Sequence, residues 1–580
     1  MPLTVIHATH EAVEKVGGIG SVLDGLITAK TYQSAVQRSI LVGPLSHPNE
    51  IAVLAREGEV LFSSLDGTGQ GRLATLLKQV EVEHNVNVVY GKRRFRDGAE
   101  AEVLLVDAAD VNLRKIRNFK YNLYQNYGLA SDRYENVDDY SLYIDCAEAS
   151  YDALVALLGQ SKGPHIVLGH EYMGMPLVLK TLMANDPRFR AIFYAHEVTT
   201  MRGIVENAPG HDIMFYNTLR NALKTGTDVT QSFGDPSENY RHALVERAQH
   251  CDGIFAVGDP VVDELRFMGE AFRQYPIDLV YNGLPAIELV AEERLAAWNR
   301  LRFYSEQLLG HIPDVIMTHV TRPVVSKGLW RDFRVLEHLD NLMSSQNMTG
   351  VFFILTSAAG KRSAQDVREM EAAYGWPVSH RMGAPDLMGP EAGIWADMEA
   401  FNGKAKAIRA VLVNQFGWDR DSCGERMPKD MSFMDLRKGT DVEFGQSIYE
   451  PFGIAVLEPL CFGAICVPSS VCGCCGYVQR VTEGQGAKGI VVADYTSLDD
   501  YDAFDDARSI GLAERNHLEA ARSELLAWEI MNRLPKSDEE RVAYLNDGFT
   551  LASKMGWEAV CKDYFLPGIQ HAIDKRHGND

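Results

Sequence analysis

The sequence predicts an α/β protein made of two Rossmann-like, doubly wound domains. Short apolar runs alternate with amphipathic helical stretches along most of the chain, the pattern of a parallel sheet covered on both faces. At 580 residues the chain is also too long for a single hydrophobic core.

The first series of strands reads as Leu3–Ala8, Ser39–Val42, Val86–Tyr90, Val103–Val106, His165–Leu168, Ala191–Ala195, Gly253–Val257 and Leu279–Tyr281. A second series reads as Val315–Val320, Val351–Thr356, Ala410–Val413, Ile465–Pro468 and Gly489–Val492. Helical periodicity lies between strands, as in Gly18–Lys30, Arg331–Met343 and Gly453–Phe462. The charged, helical stretch Ala291–Pro313 separates the two series and reads as a linker. Past about Asp494 strand signals stop, and helical patterns follow at Ala507–Trp528, Asp538–Lys554 and Trp557–Lys575. The domains are therefore expected at residues 1–295 and 296–555, with a terminal helix at 556–580.

Composition narrows the function classes. The formal net charge is −22, which disfavours nucleic acid or an anionic membrane as the main partner. No apolar run is long enough to span a bilayer, and the N-terminus reads directly as a strand with no basic stretch before it. Nine scattered cysteines predict reduced thiols and a cytoplasmic location. Cys472, Cys474 and Cys475 cluster, but no fourth ligand stands at metal-site spacing, so they read as a small-residue loop. No Asp-x-Asp pair suits a divalent ion, and no metal or cofactor is expected. A homo-oligomer is compatible with the sequence.

Four motifs carry candidate chemistry. Lys15-Val-Gly-Gly follows the first strand and precedes a helix; Gly17 and Gly18 allow close backbone approach and the helix start offers N–H groups to an anion. Arg322 and Lys327 follow the first strand of the second domain, where doubly wound folds bind ligands, and two cations there suit a diphosphate. Glu450-Pro-Phe452-Gly453-Ile454 leads into a helix carrying Glu458, so one carboxylate at the loop end can grip hydroxyls. His196 ends a strand six residues before Arg202, and His170-Glu171-Tyr172 ends the neighbouring one. Each also has a plain structural reading: a tight turn, solvated charges, an acidic residue favoured by the helix dipole, a structural histidine.

Taken together in this order, these motifs resemble the glycogen synthase branch of the two-domain (GT-B) retaining glycosyltransferases, most closely the eukaryotic type. His10 to Ile19 is similar to that family's N-terminal donor loop, and His170-Glu171-Tyr172 to its His-Glu-Trp element. Glu246 to Cys251 with Tyr281-Asn-Gly-Leu284, Tyr449 to Gly453 with Glu458, and Ser553 to Trp557 continue the likeness. The resemblance implies a cleft between the domains and a last helix that crosses back to the first. It implies that Lys15, Gly17 and Gly18 line the donor diphosphate and sugar, and that His196 and Arg202 face the transferred sugar and its phosphate. Arg322 and Lys327 would stabilise the leaving diphosphate. Glu450 would hold sugar hydroxyls, with Phe452, Gly453, Ile454 and Glu458 along the donor. The substrates implied are a nucleotide-sugar, UDP- or ADP-glucose, and an α-glucan or other carbohydrate acceptor. Transfer to a small sugar, a sugar phosphate or a surface polysaccharide uses the same donor residues. A non-catalytic glycan-binding protein is the reading from another class. The Arg322-to-Lys327 spacing is one residue shorter than in the eukaryotic enzymes, and the arginine-dense sensing helix is missing.

Overall fold

A computed structural model describes residues 3–498 and 506–577; residues 1–2, 499–505 and 578–580 of the ranges above lie outside the described residues. The chain forms two units. Unit 1 comprises residues 1–201, 222–283 and 557–580, and unit 2 comprises residues 202–221 and 284–556.

Unit 1 is built on nine strands: β1 (Leu3–Ala8), β2 (Val36–Pro44), β3 (Gly58–Ser63), β4 (Asn87–Arg94), β5 (Glu100–Asp107), β6 (His165–His170), β7 (Phe189–Ala195), β8 (Gly253–Ala256) and β9 (Ile277–Leu279). Their spatial order is β3-β4-β5-β2-β1-β6-β7-β8-β9. From β5 to β9 all pairings are parallel, whereas β3–β4 and β4–β5 are antiparallel. The strand-helix alternation predicts the parallel part. It misses β3, an edge strand whose residues are mostly half-exposed and whose apolar run is only Val60-Leu61-Phe62. The central strands are buried on both faces, so β6 and β7 read as continuous apolar runs.

Unit 2 holds β10 (Val315–Val320), β11 (Gly350–Leu355), β12 (Ile408–Val413), β13 (Val442–Gly445) and β14 (Ile465–Pro468), all parallel, in the order β12-β11-β10-β13-β14. Strand β13 escapes a sequence reading because it is four residues long and carries Glu443, a fully buried carboxylate paired with buried Arg437 at 3.1 Å. The expected strand Gly489–Val492 is not a strand. It makes isolated bridges from Ile490 to Cys466 and from Ala493 to Ser469, alongside β14. The stretch read as a linker is the helix Ala291–Leu309, and it buries Ala297, Leu301, Tyr304 and Leu308. That three-to-four spacing is a core-facing stripe, and Leu301, Tyr304 and Leu308 join the same cluster as Phe353, Trp376 and Trp418.

Both sheets reverse direction at one point. In unit 1 the chain runs outward from β1 through β2 and later outward the other way from β6; in unit 2 the same change falls between β10 and β13. Loops at the carboxyl ends of the flanking strands define the crevice where doubly wound sheets bind ligands. From Trp557 the chain belongs to unit 1, where the Glu558 carboxylate accepts the N–H groups of Lys30 and Thr31 at 2.7 and 2.9 Å.

Candidate functional site

In unit 2 the loop after β10 runs from Thr321 to Gly328 before the helix Leu329–Ser345 begins. Gly328 sits at φ +60°, and a Cβ there would lie 2.4 Å from the carbonyl oxygen of Gln446. The loop after β13 is therefore pressed against it, and Ile448 N–H donates to the Ser326 carbonyl at 2.8 Å. This packing brings two predicted residues together: Lys327 Nζ pairs directly with a Glu450 carboxylate oxygen, and both side chains are mostly but not wholly buried. Arg322 is exposed, and its guanidinium makes no polar contact among the described residues. One open cation and one cation neutralised by a carboxylate thus stand beside the switch point.

The Glu450 segment differs from its expected form. The helix predicted at Gly453–Phe462 is one α-turn, Ile454–Leu457, followed by the 3-10 turn Glu458–Phe462. Pro459 enters early in that turn and removes a backbone donor. Gly453 takes φ +93°, and a Cβ there would press on the Glu450 side chain at 3.1 Å. The Phe452 ring is buried near Tyr477, while its carbonyl accepts the Cys474 N–H at 2.8 Å. Glu458 accepts from Arg437 Nε at 2.9 Å. Cys472, Cys474 and Cys475 are all buried free thiols beneath this loop.

Sequence reasoning missed the cation that braces this half-site. Arg331, in the first turn of the helix after Gly328, is fully buried between Asp212 (2.6 and 2.9 Å) and Glu519 (2.8 Å), with its guanidinium 4.2 Å over the Tyr495 ring. The two carboxylates hold its pKa above the ordinary arginine range against the effect of burial. Asp332 accepts from Gln446 Nε2 at 2.9 Å and contacts His319 Nδ1 at 2.6 Å. Both carboxylate partners of Arg331 are more than one hundred positions away in sequence, so no local pattern marks the site.

In unit 1 the loop after β1 holds Glu11, which is buried. Its Oε2 accepts the N–H groups of Val16 and Gly17 at 2.7 and 2.6 Å. Gly20 is required here, because a Cβ would fall 2.4 Å from the same oxygen. The Gly17 N–H, just ahead of the helix start, is thus occupied by the protein's own carboxylate. Gly18 opens the helix Gly18–Thr28 with open space around its Cα, and Lys15 is exposed beside it. Arg93, on β4, supports the loop by donating to the Glu11 and Ala12 carbonyls at 3.1 and 3.3 Å.

His196, at the end of β7, is half-buried and its ring stacks on His170 at 5.0 Å. His170 Nδ1 and His196 Nε2 are 2.8 Å apart. The two strand ends singled out in the sequence therefore meet. Glu171 takes φ +58°, a strained conformation for a non-glycine residue. Its buried carboxyl caps the strand end by accepting the N–H of Glu197 at 2.6 Å and that of His196. Burial, with Glu197 nearby, drives the Glu171 carboxyl well above the usual range. Arg202 lies in the helix Thr199–Asn207 with Nε donating to Glu206 at 2.9 Å.

Among the described residues, Glu83, His84 and Asp152 are the group whose metal-ligating atoms lie within 4.8 Å of one another. Glu83 already accepts from Lys115 Nζ at 2.5 Å. No described helix is long and apolar enough to cross a membrane.

No family model matches the sequence, and comparison with the curated proteins finds no match. Solved structures share the fold. The catalytic domain of starch synthase IV from Arabidopsis thaliana, bound to ADP and acarbose, aligns at TM-score 0.51 and 14% identity over 99% of each chain. A UDP-forming α,α-trehalose-phosphate synthase from Burkholderia xenovorans, in complex with glucose 6-phosphate, aligns at TM-score 0.50 and 13% identity, covering 98% of this chain and 100% of that one. The chain has the GT-B fold of these glycosyltransferases.

Proposed function

We propose that this protein is a retaining glycosyltransferase that transfers glucose from UDP- or ADP-glucose to an α-glucan. The observation that carries the reading is the pairing in unit 2. Arg322 and Lys327 stand at the carboxyl end of β10, beside the switch point, and Lys327 is held by Glu450 from the loop after β13. Breaking the bond from sugar to diphosphate builds negative charge on the leaving phosphate. Fixed cations aimed at that charge stabilise the transition state more than the ground state. Glu450 both positions the Lys327 ammonium and offers its remaining carboxylate capacity to sugar hydroxyls. Within unit 1, His196 is proposed to face a sugar, with Lys15 and Gly18 as donor-loop residues. Arg202 lies with unit 2 and is proposed to face the sugar's phosphate. With two side-chain cations supplying the positive charge, the reading needs no metal.

A second acceptor is favoured by one of the fold relatives, whose structure holds glucose 6-phosphate. The test separates the two. Purified protein is incubated with UDP-, ADP- and GDP-glucose, alone and with glycogen, maltooligosaccharides or glucose 6-phosphate, and with and without EDTA. Nucleotide release and sugar products are followed. Glucan growth with EDTA-insensitive release supports the proposal, and release only with glucose 6-phosphate moves the acceptor. Silence with every donor overturns the enzyme reading.

A further inference from the structure

A hydrogen-bonded line of side chains crosses unit 1 beneath His196, and the proposed reaction does not use it. Ser39 Oγ lies 2.9 Å from the Tyr32 hydroxyl. That hydroxyl lies 3.1 Å from His7 Nε2. His7 Nδ1 lies 2.9 Å from His170 Nε2, and His170 Nδ1 lies 2.8 Å from His196 Nε2. The line passes from β2 through the helix Lys30–Ala35, β1 and β6 to the residue that follows β7, crossing the sheet at its switch point. Tyr32, His7 and His170 are fully buried, while Ser39 and His196 at its two ends are half-exposed.

Each imidazole uses one nitrogen toward each neighbour, which constrains its protons. Two facing ring nitrogens at these distances share one proton, so the tautomer of each ring fixes that of the next. Every nitrogen of His7 and His170 is committed within the line. His196 Nδ1 ends the line opposite Ser39, and it makes no hydrogen bond among the described residues.

We propose that Ser39, Tyr32, His7, His170 and His196 form a neutral relay that switches His196 Nδ1 between donating to and accepting from a ligand hydroxyl. In one polarity Ser39 donates to Tyr32, Tyr32 to His7 Nε2, His7 Nδ1–H to His170 Nε2, and His170 Nδ1–H to His196 Nε2. His196 Nδ1–H then points outward as a donor. In the other polarity every hydrogen bond is reversed and Nδ1 is a bare acceptor. Conversion releases one proton from His196 Nδ1, shifts one proton across each of the four links, and takes one proton from water at Ser39. Every side chain starts and ends neutral. A hydroxyl is the ligand group that can both give and receive a hydrogen bond, so it suits either state. That this hydroxyl belongs to a sugar rests on the proposed function; the relay itself does not.

The surroundings keep the line uncharged. Burial pushes His7 and His196 down to about 3, and His170 well below its ordinary range. The other titratable groups facing it are Tyr194, 4.4 Å from the His196 ring, His10, the Cys561 thiol beside Tyr32, pushed toward its neutral form by burial, and the Glu171 carboxyl, likewise pushed toward its neutral form by burial. His7 and His170 are thus positioning residues that act through His196.

The test uses full-length protein labelled with ¹⁵N in histidine. Long-range ¹⁵N correlation spectra report each ring's tautomer, and couplings across the N–H···N bonds report the links. We expect couplings from His7 to His170 and from His170 to His196, with all three rings neutral down to pH 5. His7→Phe removes both nitrogens from the middle of the line, and it should change the tautomer populations of His196, two rings away. Absence of the couplings in wild type, or protonation of any of the three rings above pH 5, overturns the relay, and this arm does not need the variant to fold. An unchanged His196 tautomer in folded His7→Phe also overturns it. UDP-glucose is then added as the probe. A shift of His196 tautomer supports a sugar hydroxyl as the ligand group. No shift, with the couplings intact, overturns that assignment and leaves the relay standing. Because the first arms contain no donor, failure of the donor panel and failure of the relay are separate results.

Discussion

At the scale of single residues, the two cations after β10 are not equivalent. Arg322 is exposed and open, while Lys327 is tied to Glu450. Replacing either by alanine should lower kcat by roughly 10²–10³-fold, the cost of one electrostatic donor to a developing anion. Lys327→Ala should carry a second effect that Arg322→Ala lacks. It strands the mostly buried Glu450 carboxylate, so donor KM should rise as well. Steady-state kinetics on the two variants, with circular dichroism to confirm folding, checks this; near-normal kcat in both would remove their assigned role. Arg322, Lys327, Glu450 and His196 were all legible in the sequence, because each lies at a strand end or in a short local motif. Arg93, His7 and Tyr32 were not, because their partners come from other elements, and Glu11 was not, because its carboxylate turns back onto N–H groups of its own loop. Gly17 shows the limit of a local motif, since its N–H is held by Glu11.

At the scale of elements, the helix Leu329–Ser345 sets the geometry of the unit 2 half-site, since the loop bearing Lys327 leads straight into it. It is fixed at its start by Arg331, whose side chain is fully buried between Asp212 and Glu519. Replacing Arg331 with methionine keeps the volume but strips buried Asp212 of its arginine partner and leaves buried Glu519 with only the longer cation contacts to Arg334 and Arg515. That should destabilise unit 2 by about 3–5 kcal/mol, the scale for breaking a buried ion pair from one side. Replacing exposed Arg508, paired with exposed Asp506, should change nothing measurable. Urea unfolding of the two variants makes the comparison, and equal midpoints would show that the Arg331 network does not brace the helix. Element reading from sequence succeeded where periodicity was strong: β1, β10, β14 and the helix Asp538–Lys554 stand at their expected bounds. It failed at β3, β13 and Gly489–Val492, where an edge position, a buried charge or an incomplete ladder erased the pattern.

At the scale of the whole molecule, each unit has its own sheet, and the buried histidines of unit 1 give it a response to pH. In unit 1, burial holds the His7 pKa down to about 3 against an ordinary value of 6.5. The unfolded chain takes up a proton below about pH 6.5 that the folded chain refuses. Stability is therefore full above that pH and falls as pH drops toward 3, by about 1.4 kcal/mol per pH unit for each such histidine. Hydrogen exchange of β1, β6 and β7 between pH 7 and 5, corrected for intrinsic rates, should show this loss in wild type and less of it in His7→Phe. An equal loss in both would place the acid sensitivity elsewhere. The last segment, from Trp557, packs in unit 1 although it follows unit 2 in the chain, as the fold expectation required.

The sequence alone determined the fold class, the run of strand and helix, and the strand ends where charged and imidazole groups stand. Those features are local: burial on both faces gives apolar runs, and ligand loops follow strands in a fixed place. Only the tertiary structure decided which charges neutralise one another and which histidines share protons. The partners of Arg331, of Lys327 and of the His7–His170–His196 line lie from 26 to 188 positions apart in the chain. Hydrogen bonds and ion pairs depend on distances of about 3 Å in space. No spacing along the chain encodes them until the sheet brings its strands side by side.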